Sequence, residues 1–184
     1  EMYVQPIHGK GVRVIWLKGE TDMLGALEEV ESFAEFAKRN NAVASTDVKS
    51  FEHLVCTEQL SRRLGFKVGE ELIRVVRVRS LNGSARQVDH GYFLESIAKG
   101  LTPEIAAKSI YNYLEHKRGV KVMASRRTVS VELANDEDCS YLDLGKYNCV
   151  AVMESQSYTS DGILFEVTHA RTHPEIFHYR VNSK

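Results

Sequence analysis

Hydrophobic and polar positions alternate with a period of two over several long stretches of this chain. Ala44 to Val55 alternates and predicts a strand. Leu72 to Leu81 and Ser84 to Leu94 are two strand-like runs flanking Asn82-Gly83, the strongest hairpin signal in the sequence. Lys121 to Leu133 alternates again, and Cys149 to Tyr158, Asp161-Gly162 and Ile163 to His169 predict a second hairpin, with a further strand near Phe177 to Val181. Helical signals fall between these runs. Ser32-Phe33-Ala34-Glu35 is a capping box that should start a helix running to about Arg39. Thr57 caps a short helix that Gly65 ends. Thr102-Pro103 opens another, Ser109 to Arg118 follows and stops at Gly119, and Asn135 caps a helix to Leu142. Strands joined by hairpins, with helices inserted between them, give an α+β fold with an antiparallel, hairpin-rich sheet.

The N-terminal stretch stands apart. Tyr3 to Ile7 and Val12 to Leu17 flank a glycine turn, and two short strands bury no core alone. The polar, glycine-containing stretch that follows suggests a linker over 18–29. The expected organisation is a remnant hairpin at 1–17, that linker, and a folded domain over 30–184.

Composition narrows the class. The 184 residues carry 24 Lys+Arg against 25 Asp+Glu, a net charge of −1, which argues against a nucleic-acid coat or a membrane-surface binder. With 43% hydrophobic and 27% charged residues the chain is globular, and no apolar run approaches bilayer length. The three cysteines have no CxxC spacing, which suggests free thiols and a cytoplasmic location.

The chemistry-bearing residues are few. Arg77 and Arg79 share one strand face with Ile73, Val75 and Leu81. If that face is inward, two buried cations demand an anion, and a phosphate or carboxylate ligand would supply it. If Val76 and Val78 face the core instead, the arginines are solvated. Ser32 is either a structural helix cap or an anion site at a helix start. His169 and His173 are four apart, but on a strand and its turn, so no metal site is expected. No P-loop, GxGxxG or GxSxG motif is present, and no acid/base pair stands out.

From Glu31 to Tyr179 the residues resemble the effector-binding (UTRA) domain of the HutC branch of GntR-type bacterial transcription regulators. The matching pieces are Ser32-Phe33-x-Glu35, the run Ile73 to Arg79, Asp89-x-x-Tyr92-Phe93, Gly100-Leu101-Thr102, Ser109-Ile110-Tyr111-x-Tyr113 and Asp161-Gly162-x-x-Phe165-Glu166. The resemblance implies a chorismate-lyase-like fold and a non-enzymatic homodimeric repressor. A phosphorylated sugar, trehalose 6-phosphate favoured, would modulate operator binding through an N-terminal domain. No cofactor is implied. Val4 to Val14 would be the last wing of a winged helix-turn-helix domain, with His8, Lys10 and Arg13 near DNA phosphates. Ser32 and Phe33 would lie at the phosphate, with Arg77 and Arg79 contacting it. Asp89, Ser109, Tyr111 and Glu166 would face the sugar, and Arg171 fits the pattern, although Thr172-His173-Pro174 stands where a basic cluster is expected. The rival reading is an enzyme of the same fold acting on a small carboxylic acid.

The resemblance also constrains the hairpin. A two-residue turn at Asn82-Gly83 pairs Leu81 with Ser84 and places Asp89 opposite Val76, away from the arginines. A three-residue loop, Asn82-Gly83-Ser84, with a bulge shifts the register by one and sets Asp89 opposite Arg77. The bulged loop is therefore expected.

Overall fold

The computed structural model describes residues 4–7, 11–14, 24–25 and 33–179. In chain order the elements begin with β1 (Val4–Ile7) and β2 (Gly11–Val14), an antiparallel pair in which Ile7 lies opposite Gly11. A hairpin is thus present among the described residues of this stretch; the rest of the expected second strand, residues 15–17, lies outside them. Next comes β3 (Leu24–Gly25), which pairs in parallel with β10 (His178–Tyr179). The stretch read as linker therefore contains a short paired segment.

The body of the chain runs α1 (Phe33–Arg39), β4 (Ala44–Val55), α2 (Glu58–Leu64), β5 (Glu71–Leu81), β6 (Ser84–Leu94), α3 (Pro103–Ala106), α4 (Ile110–Arg118), β7 (Val122–Leu133), α5 (Asp136–Tyr141), β8 (Cys149–Thr159) and β9 (Leu164–Thr172). Six strands form one antiparallel sheet in the order β4-β5-β6-β9-β8-β7. The caps read at Thr57 and Asn135 form, as does the helix start at Thr102, each side chain accepting a backbone N–H, and Gly65 and Gly119 are left-handed terminators; Ser109 also caps its helix and Asp138 completes a capping box with Asn135, while the capping box read at Ser32 falls on a residue outside the described ones. Among the described residues no helix is long and apolar enough to cross a membrane.

The central hairpin resolves the register question in an unexpected way. Asn82 and Gly83 have φ of 50° and 80°, the positive values a type I′ turn requires, and Leu81 pairs with Ser84. The plain two-residue turn forms, so the expected three-residue loop is wrong. The bulge lies further along. Ser80 pairs with Ala85 but Arg79 pairs with Gln87, which leaves Arg86 as the extra residue and returns Arg77 opposite Asp89. Two contacts explain this arrangement. Asn82 Oδ1 accepts from Val43 N (2.9 Å), pinning the turn, and the Arg86 carbonyl accepts from His173 N (2.9 Å) outside the ladder.

The sheet is covered on both faces, so both rows of β5 are buried: Val76 and Val78 on one side, Arg77 on the other. The two alternatives drawn from sequence, arginines inward or valines inward, were not exclusive. One core joins Ile73, Val75 and Phe93 to Ala106, Ile110 and Leu114 of α3 and α4. A smaller core joins Val76, Val88 and Val152 to Leu142 and Leu144 behind α5.

Candidate functional site

Between the sheet and the layer made by α1, α3 and α4 lies a cavity of about 360 Å³, within the range of small-molecule sites. Strand alternation builds its floor. Arg77 pairs with Asp89, Asp89 with Ala170, and Ala170 with Met153, so one residue from each of β5, β6, β9 and β8 points the same way. Two residues along, the same face presents Arg79, Gln87 and Thr172; two residues the other way it presents Thr168, Ser155 and Arg127. The segment after β9 closes one side with Ile176 and Phe177. That segment is held by the bulge carbonyl of Arg86 and by the Arg86–Glu175 ion pair (2.8 Å). The bulge therefore serves the cavity twice, by turning Asp89 inward and by anchoring a wall.

The electrostatic centre is a clamp of three charges. Arg77 donates to Asp89 Oδ2 from Nε (2.9 Å) and from Nη2, and Arg79 Nη2 donates to the same oxygen (2.8 Å). Arg77 also reaches the Ala106 carbonyl from Nη1 (3.4 Å). Burial alone would raise the Asp89 carboxyl, but the two guanidinium groups outweigh it and hold its pKa at about 2, down from 3.8. Burial and the like charge of Arg77 lower the Arg79 pKa. Two cations thus share one carboxylate, a local excess of one positive charge. Arg79 Nε is buried and finds no hydrogen-bond partner among the described residues, and its guanidinium lies 5.2 Å from the centre of the Phe33 ring.

A second polar group lies on the same floor. The Tyr111 hydroxyl, from the first turn of α4, donates to Glu166 Oε2 and lies 3.3 Å from Ser157 Oγ. Burial raises the Glu166 carboxyl against the opposing effect of the Tyr111 and Ser157 hydrogen bonds. Burial and the neighbouring Glu166 charge raise the Tyr111 phenol well above its ordinary value. Serine and threonine hydroxyls from several strands line the space around these groups. The cavity therefore offers a cationic end and an end rich in hydroxyl and carboxylate partners, which suits a ligand with an anionic group on a polyhydroxylated body.

Of the residues singled out from sequence, the fold brings Phe33, Arg77, Arg79, Asp89, Ser109, Tyr111 and Glu166 to this one cavity. Ser32 lies outside the described residues, as do His8 and Lys10. Arg171 is a correction. Its β9 position pairs with Val88 and Val152, so alternation sends it to the opposite face of the sheet. There it donates to Asp138 from Nε (2.9 Å) and Nη2 (2.9 Å) and to Glu132 from Nη1 (2.5 Å), fastening α5 to the sheet. His169 and His173 do not converge: His169 pairs with Glu154 (3.1 Å), and His173 Nε2 lies 3.1 Å from the Asp143 carbonyl. Among the described residues no group of His, Cys, Asp or Glu is placed to hold a metal. Sequence reasoning missed Gln87, Ser125, Arg127, Ser155 and Thr168. The signal that locates them is the period of two, counted from Asp89 and Glu166 through the register of each neighbouring strand.

Comparison with known proteins accords with this geometry. The model of the UTRA domain matches residues 39–178. The HTH-type transcriptional regulator TreR of Bacillus subtilis is 28% identical over 177 residues, covering 96% of this chain and 73% of TreR. The HTH-type transcriptional repressor NagR of the same organism is 22% identical over 147 residues, of which this chain spans 60% of the relative's length. Among solved structures, the effector-binding domain of the B. subtilis trehalose repressor TreR superposes with a TM-score of 0.68 at 26% identity, over 76% of this chain and 97% of that one. The possible transcriptional regulator YydK of B. subtilis superposes with a TM-score of 0.78 at 22% identity, over 99% of this chain and 76% of that one, a likeness of fold. These relatives are transcription regulators and their effector-binding domains, not enzymes. The chain belongs to the UTRA family and is the ligand-binding domain of a GntR-type transcriptional regulator related to TreR.

Proposed function

We propose that this domain senses a phosphorylated sugar, with trehalose 6-phosphate the first candidate, and that occupancy of the cavity alters operator binding by a repressor working in the cytoplasm as a homodimer. The observation that carries the reading is the Arg77–Asp89–Arg79 clamp. It holds one more cation than anion, and its Arg79 Nε donor is buried without a partner among the described residues. A phosphate monoester supplies several acceptor oxygens to such a donor and neutralises the excess charge. The hydroxyl-lined remainder, with Glu166 and Tyr111 as hydrogen-bonding partners, suits sugar hydroxyls. The relation to the trehalose repressor favours trehalose 6-phosphate over other sugar phosphates. Ser109, Tyr111, Phe33 and Asp89 are the remaining residues expected to touch the ligand.

The test is a thermal-shift panel of trehalose 6-phosphate, glucose 6-phosphate, trehalose and inorganic phosphate. A ligand present at 100 times its Kd adds about 2.7 kcal/mol of stability. The expected order puts trehalose 6-phosphate first, inorganic phosphate weak and trehalose inert. Stabilisation by free trehalose equal to that by its phosphate would overturn the anion-centred reading. Stabilisation by glucose 6-phosphate alone would keep the sugar phosphate and discard trehalose.

A further inference from the structure

The cavity-facing row of β7 changes character along the strand. Ser125 and Arg127 are half-buried and alternate with the exposed Ala124, Arg126 and Thr128, so both side chains face the cavity. Further along the same face stand the aliphatic Val129 and Val131. The neighbouring strand repeats the change: Ser157 and Ser155 lie opposite Ser125 and Arg127, whereas Met153 and Ala151 lie opposite Val129 and Val131. Four polar residues on two strands thus stand together on the cavity floor. Ser155 and Ser157 are buried, and Ser125 Oγ is buried without a hydrogen-bond partner among the described residues. A buried hydroxyl left unpaired destabilises a fold, and a polar occupant removes that cost. This group lies past the residues already placed against a ligand. The clamp stands on β5 and β6 and Glu166 on β9, while β7 is two strands beyond β9, about 10 Å at the spacing of neighbouring strands.

We propose that Ser125, Arg127, Ser155 and Ser157 form a second sugar subsite, so that the domain selects disaccharide phosphates over monosaccharide phosphates and Arg127 reads the ring that carries no phosphate. The proposal rests on the phosphorylated-sugar reading above and narrows it. A ligand whose phosphate meets the clamp sets its first ring over β6 and β9, against Glu166 and Tyr111. A monosaccharide ends there and leaves the β7 group unused, whereas a second ring continues over β8 and β7. Charge selects a neutral ring for this place. Arg127 and Glu166 act with opposite sign on the Tyr111 phenol between them, so this end sets one cation against one carboxyl group. It lacks the uncompensated positive charge of the clamp, and a second anion would meet Glu166. A ring with adjacent hydroxyls instead accepts from the Arg127 guanidinium and exchanges hydrogen bonds with the serines, which both donate and accept.

The experiment is calorimetric titration of the whole chain with trehalose 6-phosphate, sucrose 6-phosphate and glucose 6-phosphate, for wild type, Arg127→Met, Ser125→Leu and Arg126→Met. Arg126 is exposed on the opposite face of the same strand and serves as the control. Wild type is expected to bind the tighter of the two disaccharide phosphates at least about tenfold more strongly than glucose 6-phosphate. Arg127→Met keeps the stem and removes a hydrogen bond to a charged group, so that disaccharide phosphate should weaken about 10- to 150-fold. Ser125→Leu fills the second subsite and should weaken the same ligand; it carries the test where Arg127→Met does not fold. Glucose 6-phosphate affinity should stay at the wild-type value in both variants, whereas a merely structural role moves both ligand sizes together. Arg126→Met should bind all three ligands as wild type does. A wild type that binds no sugar phosphate refutes the underlying reading and the subsite with it. Where a sugar phosphate binds, three results overturn the second subsite alone: glucose 6-phosphate binding as tightly as the disaccharide phosphates, equal losses for both sizes in Arg127→Met, or wild-type disaccharide affinity in either cavity variant.

Discussion

Arg77 and Arg79 look equivalent in sequence, but the structure assigns them different work, and a pair of single substitutions separates the two. Arg77 is 5% exposed and spends Nε and Nη2 on Asp89 and Nη1 on the Ala106 carbonyl. Arg79 spends Nη2 on the same carboxylate and keeps a buried Nε without a partner among the described residues. Replacing Arg79 by alanine leaves the Arg77–Asp89 pair intact, so stability should change by less than about 1 kcal/mol. On the proposed function it should also remove a charge-assisted hydrogen bond to the ligand worth roughly 1.5–3 kcal/mol, and so weaken trehalose 6-phosphate about 10- to 150-fold. Replacing Arg77 strips the buried carboxylate of its closest partner. A broken buried pair costs about 3–5 kcal/mol, and Arg79 remains as a partial substitute, so the lower end applies. At about 2–4 °C per kcal/mol for a chain of this size, Tm should fall by roughly 6–12 °C. Calorimetric titration reads the first effect and a thermal melt the second. Wild-type affinity in Arg79→Ala, or a wild-type melt in Arg77→Ala, refutes the division of labour.

Three further outcomes are expected. The two guanidinium groups hold the Asp89 carboxyl at a folded pKa of about 2 against an ordinary 3.8, so it contributes about 2 kcal/mol of stability. A depressed pKa means this contribution is complete above about pH 4 and disappears as pH falls toward 2; urea melts of Asp89→Asn across that window should show a flatter profile than wild type. Arg171→Met should lower stability by about 3 kcal/mol, since Asp138 is fully buried against it, while trehalose 6-phosphate affinity stays unchanged because Arg171 faces away from the cavity. Glu166→Gln should weaken trehalose 6-phosphate about tenfold, the size of one hydrogen bond to a charged group, and leave weak inorganic phosphate binding alone; equal losses for both would place Glu166 at the anion.

Local chemistry made much of the fold legible. The Asn135 N-cap and the left-handed Gly65 and Gly119 are signals carried by a few adjacent residues, and each formed as read; Asn82-Gly83 carries the same kind of signal, for a two-residue turn, which forms although a three-residue loop was expected there. Seven of the residues that the resemblance singled out line one cavity, because their motifs sit at fixed places in the strand pattern. Arg171 shows where that reasoning fails. It shares a strand with Glu166, but five residues on, and an odd separation crosses the sheet. The bulge at Arg86 failed for a different reason. Nothing in Ser84 to Val88 marks it, because its carbonyl is satisfied by His173, 87 positions away in the chain. A long-range partner leaves no local trace, whereas the need to bring Asp89 to Arg77 does constrain the total register, so the pairing was recoverable and its location was not.

The clamp also explains how such a cavity folds before any ligand arrives. Two guanidinium groups side by side on β5 repel each other and lose hydration, and Arg79 bears this as a lowered pKa. Asp89 offsets most of that cost from the next strand, through hydrogen bonds that converge on one carboxylate oxygen. Glu166 is a second carboxyl group within reach of these charges, since it also acts on Arg79, and Arg127 lines the same cavity as a third guanidinium. Within the clamp itself one carboxylate stands between two cations, and on the proposed function that residual charge is what a phosphate ester would read. The same logic places the discriminating groups elsewhere. On the proposed function, phosphate contacts are common to every sugar phosphate, so selectivity for the sugar would rest on Glu166, Tyr111 and the hydroxyls of β7, β8 and β9, where a missing or inverted hydroxyl would leave a buried polar group unpaired at about 1–3 kcal/mol.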